Sequence, residues 1–348
     1  MKKIKIKNKF IGEQEPCFII AELSANHLQK FELAVDTIKA AKEAGADAIK
    51  LQTYTPDTIT IESDNECFKI KGTLWGGKTL YNLYKEAYTP WEWQPKLQKL
   101  AEDLGLIFFS SPFDKTAVDF LEGLNVPAYK VASFEITDIP LIEYIASKGK
   151  PIIISTGIAT LADIEEAVNA CKRMGNEKII LLKCTSSYPA PIEEANLLTI
   201  PNMADTFGTI VGLSDHTLGS SVAIASVVLG AKVIEKHFIL DRNLGGPDAA
   251  FSMEPDEFKE MVKSVRDVEK ALGKVSYELS EKVEKSRVFA RSLFVVKDMK
   301  SGELISEENV KSIRPWYGMR PKYLKEILGK KIRNDIKKGT PLSWDLIE

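Results

Sequence analysis

Two of the three histidines in this 348-residue chain end apolar runs in the same way. His216 lies in "GLSDHT", directly after one such run, and His237 lies in "VIEKHFIL", the next run along the chain. Two imidazoles with vacant coordination positions suit a divalent ion that must also bind water or substrate. The pattern predicts a metal site at His216 and His237, and the alternative for each is a hydrogen-bonded core residue. We interpret His27 as a residue that only bonds its own loop.

A second set of chemically unusual residues consists of lysines inside apolar runs: Lys50, Lys130 and Lys183. An ammonium group buried in such a run is costly unless it is paired. Serines in the same runs add hydroxyl donors: Ser111, Ser133, Ser155 and Ser214. Ammonium and hydroxyl groups together would suit a phosphate and a carboxylate on one small ligand. The pattern therefore predicts a positive pocket, and the alternative is structural pairing of lysines with glutamates.

These residues fall in eight apolar runs of strand length, rich in Ile, Val and Phe. The runs span residues 17–23, 48–54, 106–112, 128–134, 151–157, 178–185, 209–215 and 233–240. Such continuous apolar character is typical of parallel strands covered by helices. Helical periodicity lies between them, for example over 31–44, 161–174, 219–229 and 255–272.

Eight strand-then-helix units in about 260 residues predict a (β/α)8 barrel, whose chemistry belongs at the carboxyl ends of the strands. A doubly wound open sheet is the second candidate. A dinucleotide-binding version would need a glycine-rich turn after the first strand, and "AELSANH" has none. The long segment 53–91 is expected to form a wall of the substrate pocket, or else a loop packed on itself.

The pattern changes near the end of the chain, and we predict three parts: a barrel over 1–275, a linker over 276–288 and a small β-rich domain over 289–348. The last part contains a weak internal repeat, "KDMKSGELISEENV" and "NDIKKGTPLSWDLI". A domain of about 60 residues has a marginal core, so this one is expected to dock on another surface.

Composition excludes several classes of protein. The net charge is −2 and no basic stripe is present, so nucleic acid is not an expected partner. No apolar run is long enough for a membrane span, and no signal peptide is recognisable. The four cysteines fit no zinc spacing and are expected to be reduced thiols in a cytoplasmic protein.

A series of motifs resembles the sialic acid synthase family in order and spacing. The series runs "IIAELSANH", "GADAIKLQTY", "FFSSPFD", "YKVASFE", "STGIAT", "LKCTSSYPAP", "GLSDHT", "VIEKHF" and "GPDAAFSMEPDEF". The tail from "RVFARSLFVVKDMKSGELI" to "LGKKIRNDIKKGTPL" looks like that family's antifreeze-like (SAF) domain, of the β-clip type. The resemblance covers nearly the whole chain and implies a metal-dependent barrel followed by that small domain.

Within the family, "IKGTLWGGKTLYNLYKEAYTPWEW" is most similar to the branch that makes pseudaminate. The implied reaction joins phosphoenolpyruvate (PEP), water and 2,4-diacetamido-2,4,6-trideoxy-L-altrose into pseudaminate and phosphate. The alternatives are N-acetylneuraminate or legionaminate synthesis. Ser186 in "CTSSYP" replaces an Asn typical of the neuraminate branch. A Schiff-base aldolase using a buried lysine and a non-catalytic sugar-phosphate binder are more distant alternatives.

The resemblance also implies roles for individual residues. Those expected to hold PEP are Lys50, Ser111, Lys130, Ser133, Ser155, Ser186 and Ser214. Those expected to contact the sugar are Gln52, Glu135, Tyr188, Asp248 and Arg314, the last from the second domain of a partner subunit in a domain-swapped homodimer. Glu22, His216 and His237 are expected to be catalytic, with the histidines holding Mn²⁺, or Mg²⁺ or Co²⁺ instead. Which carboxylate handles the proton of the attacking water is left open.

Overall fold

Eight parallel strands close into a barrel in which the last strand pairs with the first. The computed structural model describes residues 3–72 and 74–348. Each of the eight predicted runs forms one barrel strand: β3 (Phe18–Glu22), β4 (Ala48–Thr53), β5 (Ile107–Pro112), β6 (Tyr129–Val131), β7 (Ile152–Ser155), β8 (Ile179–Cys184), β9 (Ile210–Asp215) and β10 (Val233–His237). The predicted (β/α)8 barrel is confirmed, and the open-sheet alternative is wrong.

A short antiparallel hairpin, β1 (Lys3–Ile6) and β2 (Lys9–Gly12), precedes the barrel. The helices of this part of the chain are α1 (Phe31–Glu43), α2 (Pro56–Ile59), α3 (Leu80–Ala87), α4 (Gln94–Asp103), α5 (Lys115–Gly123), α6 (Ile139–Ala146), α7 (Leu161–Arg173), α8 (Thr199–Phe207), α9 (Ser221–Val228) and α10 (Pro255–Leu272). Nearly every residue of the eight strands is buried, because side chains fill the barrel interior on one face and meet the helices on the other.

Helix α7 shows how the sequence sets these elements. Thr160 and Asp163 form a reciprocal capping box, in which each side chain accepts a hydrogen bond from the other residue's backbone amide. Ile164 and Val168 belong to the buried stripe that faces the barrel. Gly175 follows the helix with a φ of +74°, a conformation that favours glycine.

The described chain divides into two compact units, Met1–Gly273 and Lys274–Glu348. The second unit contains α11 (Glu281–Ser286), β11 (Ser292–Val295), β12 (Val310–Ile313) and α12 (Leu324–Ile327). Helix α11 lies within the residues expected to form the linker. Strands β11 and β12 pair antiparallel, and eleven buried apolar side chains, Leu293 and Ile332 among them, form a core separate from that of the barrel.

The internal repeat of the second unit pairs with itself. Met299 and Ile336 occupy equivalent positions of the two copies, and each backbone amide donates to the other's carbonyl at 2.9 Å. Two reciprocal ion pairs flank them: Asp298–Lys337 at 2.8 Å and Lys300–Asp335 at 2.6 Å. The two copies of the repeat therefore form a pseudo-symmetric β-bridge.

No helix in residues 3–72 and 74–348 is both long and apolar enough to cross a membrane.

Candidate active site

The carboxyl ends of the barrel strands surround a cavity of about 310 Å³. It is lined by most of the residues that the sequence predicts for the site: Glu22, Lys50, Gln52, Lys130, Ser133, Glu135, Ser155, Tyr188, Ser214, His216, His237 and Asp248. A cavity of this size at this end of a barrel is the usual place for a small-molecule site.

Three predicted residues of the barrel unit do not line the cavity: Ser111, Lys183 and Ser186. Ser111 is fully buried behind it, and its hydroxyl lies 3.5 Å from Lys50 Nζ. Ser186 does not line the cavity, but its hydroxyl donates a hydrogen bond at 2.9 Å to Ser133 Oγ, which does. Arg314 belongs to the second unit, where its side chain is exposed at the end of β12.

Two lysines in the cavity are neutralised by two glutamates. Lys50 Nζ lies 2.7 Å from Glu22 Oε2 and 3.2 Å from Glu235 Oε1. Lys130 Nζ donates to Ser155 Oγ at 2.7 Å and lies 3.7 Å from Glu235 Oε1. The expectation of a positive pocket is therefore wrong, since ammonium groups removed from water need anionic partners and have them here. Lysine–glutamate pairing, the alternative interpretation, describes these contacts.

Lys183, the third lysine, does not line the cavity, contrary to the prediction. Side chains alternate across a strand, so Cys184 faces the cavity and Lys183 faces the other way. Its ammonium donates to Cys184 O at 2.7 Å. An apolar run by itself does not tell which side of a strand a lysine will take.

The carboxyl groups of the cavity differ in their affinity for protons. Burial opposes ionisation of Glu22, but the adjacent Lys50 and His237 hold its pKa well below the usual range. Glu135 is less well compensated: burial raises its pKa to about 7, and its Oε2 has no hydrogen-bond partner among the described residues. Glu22 is therefore ionised at neutral pH, whereas Glu135 can exchange a proton there.

The two histidines lie side by side, with ring centroids 5.3 Å apart. His216 Nδ1 lies 3.0 Å from Thr185 O, and a proton on this nitrogen leaves Nε2 as the ligating atom. Burial lowers the pKa of His216, but the contact with Cys184 outweighs this effect and the net shift of the pKa is upward.

His237 has a buried Nδ1 without a hydrogen-bond partner among the described residues. Asp248 Oδ2 lies 3.7 Å from this nitrogen, and Glu22 Oε2 lies 3.8 Å from Nε2. Burial lowers the pKa of His237. An unpaired imidazole nitrogen next to a second imidazole and two carboxylates fits a divalent ion. Among the residues that the structure describes, no group of three or more histidine, cysteine or acidic side chains is placed to bind a metal.

His27, the remaining histidine, bonds its own loop and, beyond what was expected, also the long segment 53–91. The backbone amide of Gln29 donates to its Nδ1 at 3.1 Å, so Nε2 carries the proton and donates to Thr89 Oγ1 at 3.1 Å. Burial lowers the pKa of His27 to about 4.

The long segment 53–91 covers one side of the cavity, as predicted for a wall of the pocket. Its apolar contribution comes from α2, α3 and the turn at Trp75: Ile59, Trp75, Leu83, Tyr84 and Ala87. The Trp75 indole donates to Pro247 O at 2.9 Å, and its ring lies 5.6 Å from that of Tyr188. The Tyr188 ring in turn lies 4.5 Å from that of His216.

Several residues of the site were not assigned from the sequence. Glu235 bridges both cavity lysines, and it shares a strand face with His237, two residues later. Because side chains two residues apart point to the same face of a strand, the prediction for His237 could have included Glu235. Phe113, Cys184 and Phe251 also line the cavity. Their apolar character gave no signal, because core residues look the same in sequence.

The fold and the site define a barrel enzyme whose strand ends bring lysines, hydroxyls, carboxylates and two imidazoles around one small cavity. Residues 37–277 match the NeuB family, and residues 290–348 match the SAF domain. The chain belongs to the NeuB family.

Named relatives are similar over almost their full length. The chain is 50% identical to pseudaminic acid synthase of Helicobacter pylori over 96% of this chain and 98% of that protein. It is 51% identical to pseudaminic acid synthase of Campylobacter jejuni over 93% of this chain and 95% of that protein. The crystal structure of N-acetylneuraminic acid synthetase from Leptospira borgpetersenii superposes with a TM-score of 0.73 and 32% identity, covering 82% of this chain and 95% of that one.

Proposed function

We propose that this enzyme condenses PEP with 2,4-diacetamido-2,4,6-trideoxy-L-altrose and water, giving pseudaminate and phosphate. The similarity to two pseudaminic acid synthases favours this reaction over neuraminate or legionaminate synthesis. The structural observation that carries it is a lysine–serine cluster beside a histidine pair in one buried cavity. Such a cavity can hold an anion and an electrophile next to each other.

PEP would bind where the ammonium groups already have hydroxyl neighbours. Lys130 with Ser155 and Lys50 with Ser111 offer two cationic positions, suited to the phosphate and the carboxylate. The remaining hydroxyls would complete the subsite: Ser133, Ser186 and Ser214. Because Glu22 and Glu235 neutralise the lysines in the free protein, the anion would share these ammonium groups with the glutamates.

His216 and His237 would hold the divalent ion, for which Mn²⁺ is expected and Mg²⁺ or Co²⁺ are alternatives. When bound, such an ion supplies Lewis-acid polarisation of a carbonyl oxygen. The chain's own contribution is to hold the sugar aldehyde next to the methylene carbon of PEP, which lowers the entropic cost of joining them.

Proton transfer in the water-addition step would fall to Glu135. Carbon–carbon bond formation leaves positive charge at C2 of PEP, water adds there, and the adduct loses phosphate by C–O cleavage. Glu22 is ionised and already bonded to Lys50 and Gln52, so its role would be to stabilise the cation. Glu135, with a pKa of about 7, can accept the proton of water. If ¹⁸O placed in the bridging position of PEP stays in the sugar acid, this sequence of steps is wrong.

The sugar would lie against the wall formed by segment 53–91. Gln52, Tyr188 and Asp248 offer polar contacts, whereas Leu83 and Ala87 are apolar. Methyl groups of two acetamido substituents and of a 6-deoxy carbon suit such a wall. An apolar pocket rejects an added hydroxyl by only about 10²-fold, so N-acetylmannosamine would be a poor substrate rather than an inert one.

The test of this function is a product assay with PEP and Mn²⁺ against a panel of acetamido hexoses. Pseudaminate should form from the altrose derivative at the highest kcat/KM. Preference for N-acetylmannosamine would contradict the proposal. Borohydride trapping with a pyruvate-like substrate would reveal a Schiff base if a lysine were the nucleophile, and none is expected.

We also propose a domain-swapped homodimer in which Arg314 of one subunit reaches the sugar of the other, and a cytoplasmic location consistent with four unpaired cysteines. The exposed apolar side chains of the second unit support an interface: Tyr277 at 96%, Tyr317 at 70% and Phe289 at 64% exposure. Mixing inactive His216→Ala and Arg314→Ala subunits tests the exchange. Random exchange should restore about a quarter of the activity, because half of the dimers would then carry one intact site of two. No restoration after proven subunit exchange would contradict it.

A further inference from the structure

A buried ion pair lies directly behind the two histidines. Lys236 Nζ is 2.7 Å from Asp215 Oδ2, and the side chains are 0% and 1% exposed. Asp215 immediately precedes His216, and Lys236 immediately precedes His237. The pair therefore joins the chain positions next to both histidines.

Neither member of the pair faces the cavity. Side chains alternate along a strand, and the cavity is lined by the flanking residues Ser214, His216, Glu235 and His237. Asp215 and Lys236 consequently point to the opposite side of the sheet. They cannot contact a ligand in the cavity, so any effect on the chemistry must act through neighbouring residues, of which the histidines are the ones that would hold the metal.

The pair also lies at the last paired position of strands β9 and β10. The register pairing of β9 with β10 ends at Asp215 and Lys236, so the ladder itself does not continue to the two histidines. Lys236 Nζ donates to Thr217 O at 2.7 Å as well, and Asp215 Oδ1 accepts from Thr217 N at 2.9 Å and Thr217 Oγ1 at 2.7 Å. Both chain neighbours of His216 are thus bonded to the residue that precedes His237.

Stability alone does not account for such a pair, because apolar residues of similar size are often equally stable in its place. What the pair supplies is geometry. We infer that Asp215, Lys236 and Thr217 are positioning residues that set the spacing of His216 and His237, and so determine the affinity of the metal site. The inference rests on the proposed metal at these histidines.

The experiment measures Mn²⁺ binding without substrate, by titration calorimetry and by the electron paramagnetic resonance spectrum of the bound ion. The double variant Asp215→Asn/Lys236→Met removes both charges together and leaves no unpaired ion. We expect its Kd for Mn²⁺ to rise about 10- to 100-fold, as for lost supporting contacts in other metal sites, with a broadened spectrum. Thermal unfolding should stay cooperative.

A matched control is Asp47→Asn/Arg266→Met, which removes another ion pair of the barrel unit, 3.1 Å long and distant from the histidines in the sheet. Its Kd for Mn²⁺ should equal that of the unaltered protein. Should the first variant fail to fold, Thr217→Val keeps both charges and removes only the hydroxyl that orients Asp215. It is expected to weaken binding about threefold.

Each result decides something. An unchanged Kd in a folded Asp215→Asn/Lys236→Met protein, or in Thr217→Val where only that variant folds, overturns the positioning role and leaves the metal proposal intact. Absence of Mn²⁺ binding by the unaltered protein overturns both. An equal loss in the control would show a general effect of removing barrel ion pairs, and would also overturn the inference.

Discussion

The cavity of the barrel and the second unit both contain lysine–carboxylate ion pairs. The distance between ammonium and carboxylate is almost the same in both, but its consequences differ. Lys50 and Glu22 are 2.7 Å apart, and their side chains are 2% and 3% exposed. Lys337 and Asp298 are 2.8 Å apart, and their side chains are 86% and 59% exposed. Water screens the exposed second pair, whereas the buried first pair is screened much less and depends on its protein partners for charge balance.

The difference teaches that burial, rather than distance, decides what an ion pair does. In the second unit the ion pairs flank a backbone β-bridge that already joins the two copies of the repeat. In the barrel the paired charges lie in a buried cavity, where a ligand can compete for them. Four experiments can break or sharpen this contrast.

Removing the histidine pair should have the largest effect. In His216→Ala/His237→Ala, turnover should fall by more than about 10³-fold, because polarisation of the carbonyl is worth several kcal/mol. Metal content should fall with it. Turnover and metal content can be measured on one preparation. The thermal unfolding of the second unit should be unchanged. Full activity of the unaltered enzyme in EDTA would refute the metal role.

Breaking one ion pair in each region should give unequal losses of stability. Lys50→Met leaves Glu22 buried without its lysine and Glu235 with only Lys130 at 3.7 Å, which should cost about 3–5 kcal/mol of unfolding free energy. Lys337→Met should leave the unfolding curve nearly unchanged, because its pair is exposed. Urea denaturation of both variants makes the comparison. Equal losses would mean that burial does not separate the two regions.

Acid should lower the unfolding free energy of the barrel unit through protonation of His27. The second unit contains no histidine, so it should not show this effect. The pKa of His27 is about 4 when folded and 6.5 when unfolded, so the unfolded chain binds the extra proton first. Its contribution is complete above pH 6.5 and is lost as the pH falls towards 4, by up to about 3 kcal/mol. His27→Asn should flatten this part of the stability profile. A profile identical to that of the unaltered protein would contradict the assignment.

The pH dependence of catalysis should follow Glu135 and shows the smallest of these effects. If Glu135 accepts the proton of water, kcat/KM should fall about tenfold per pH unit below its pKa of about 7 and level off above it. Glu135→Gln should lower the rate by about 10²-fold and remove this limb. The exposed Glu303→Gln in the second unit is the control and should change neither. Retention of the limb in Glu135→Gln would assign the proton to another group.

Much of the architecture could be predicted because it is a property of local pattern. Eight apolar runs became eight strands, and the helical periodicity over 161–174 became α7. The predictions failed on which side of a strand a side chain takes and on which charged groups pair with each other. Lys183 lies on the outer side of β8, and Glu235 neutralises two lysines that lie far from it in sequence.

The sequence by itself determined the number of strands, the strand ends at which polar residues gather, and the internal repeat of the last residues. Apolar periodicity and motif order contain that information without reference to distant residues. Only the tertiary structure decided which polar groups meet. Pairing of neighbouring strands brings Glu22 against Lys50 and places Asp215 opposite Lys236 behind the histidines, and barrel closure brings Glu22 against His237. The physical reason is that charge balance in a dry interior depends on neighbours in space, and the order of residues along the chain does not specify those neighbours.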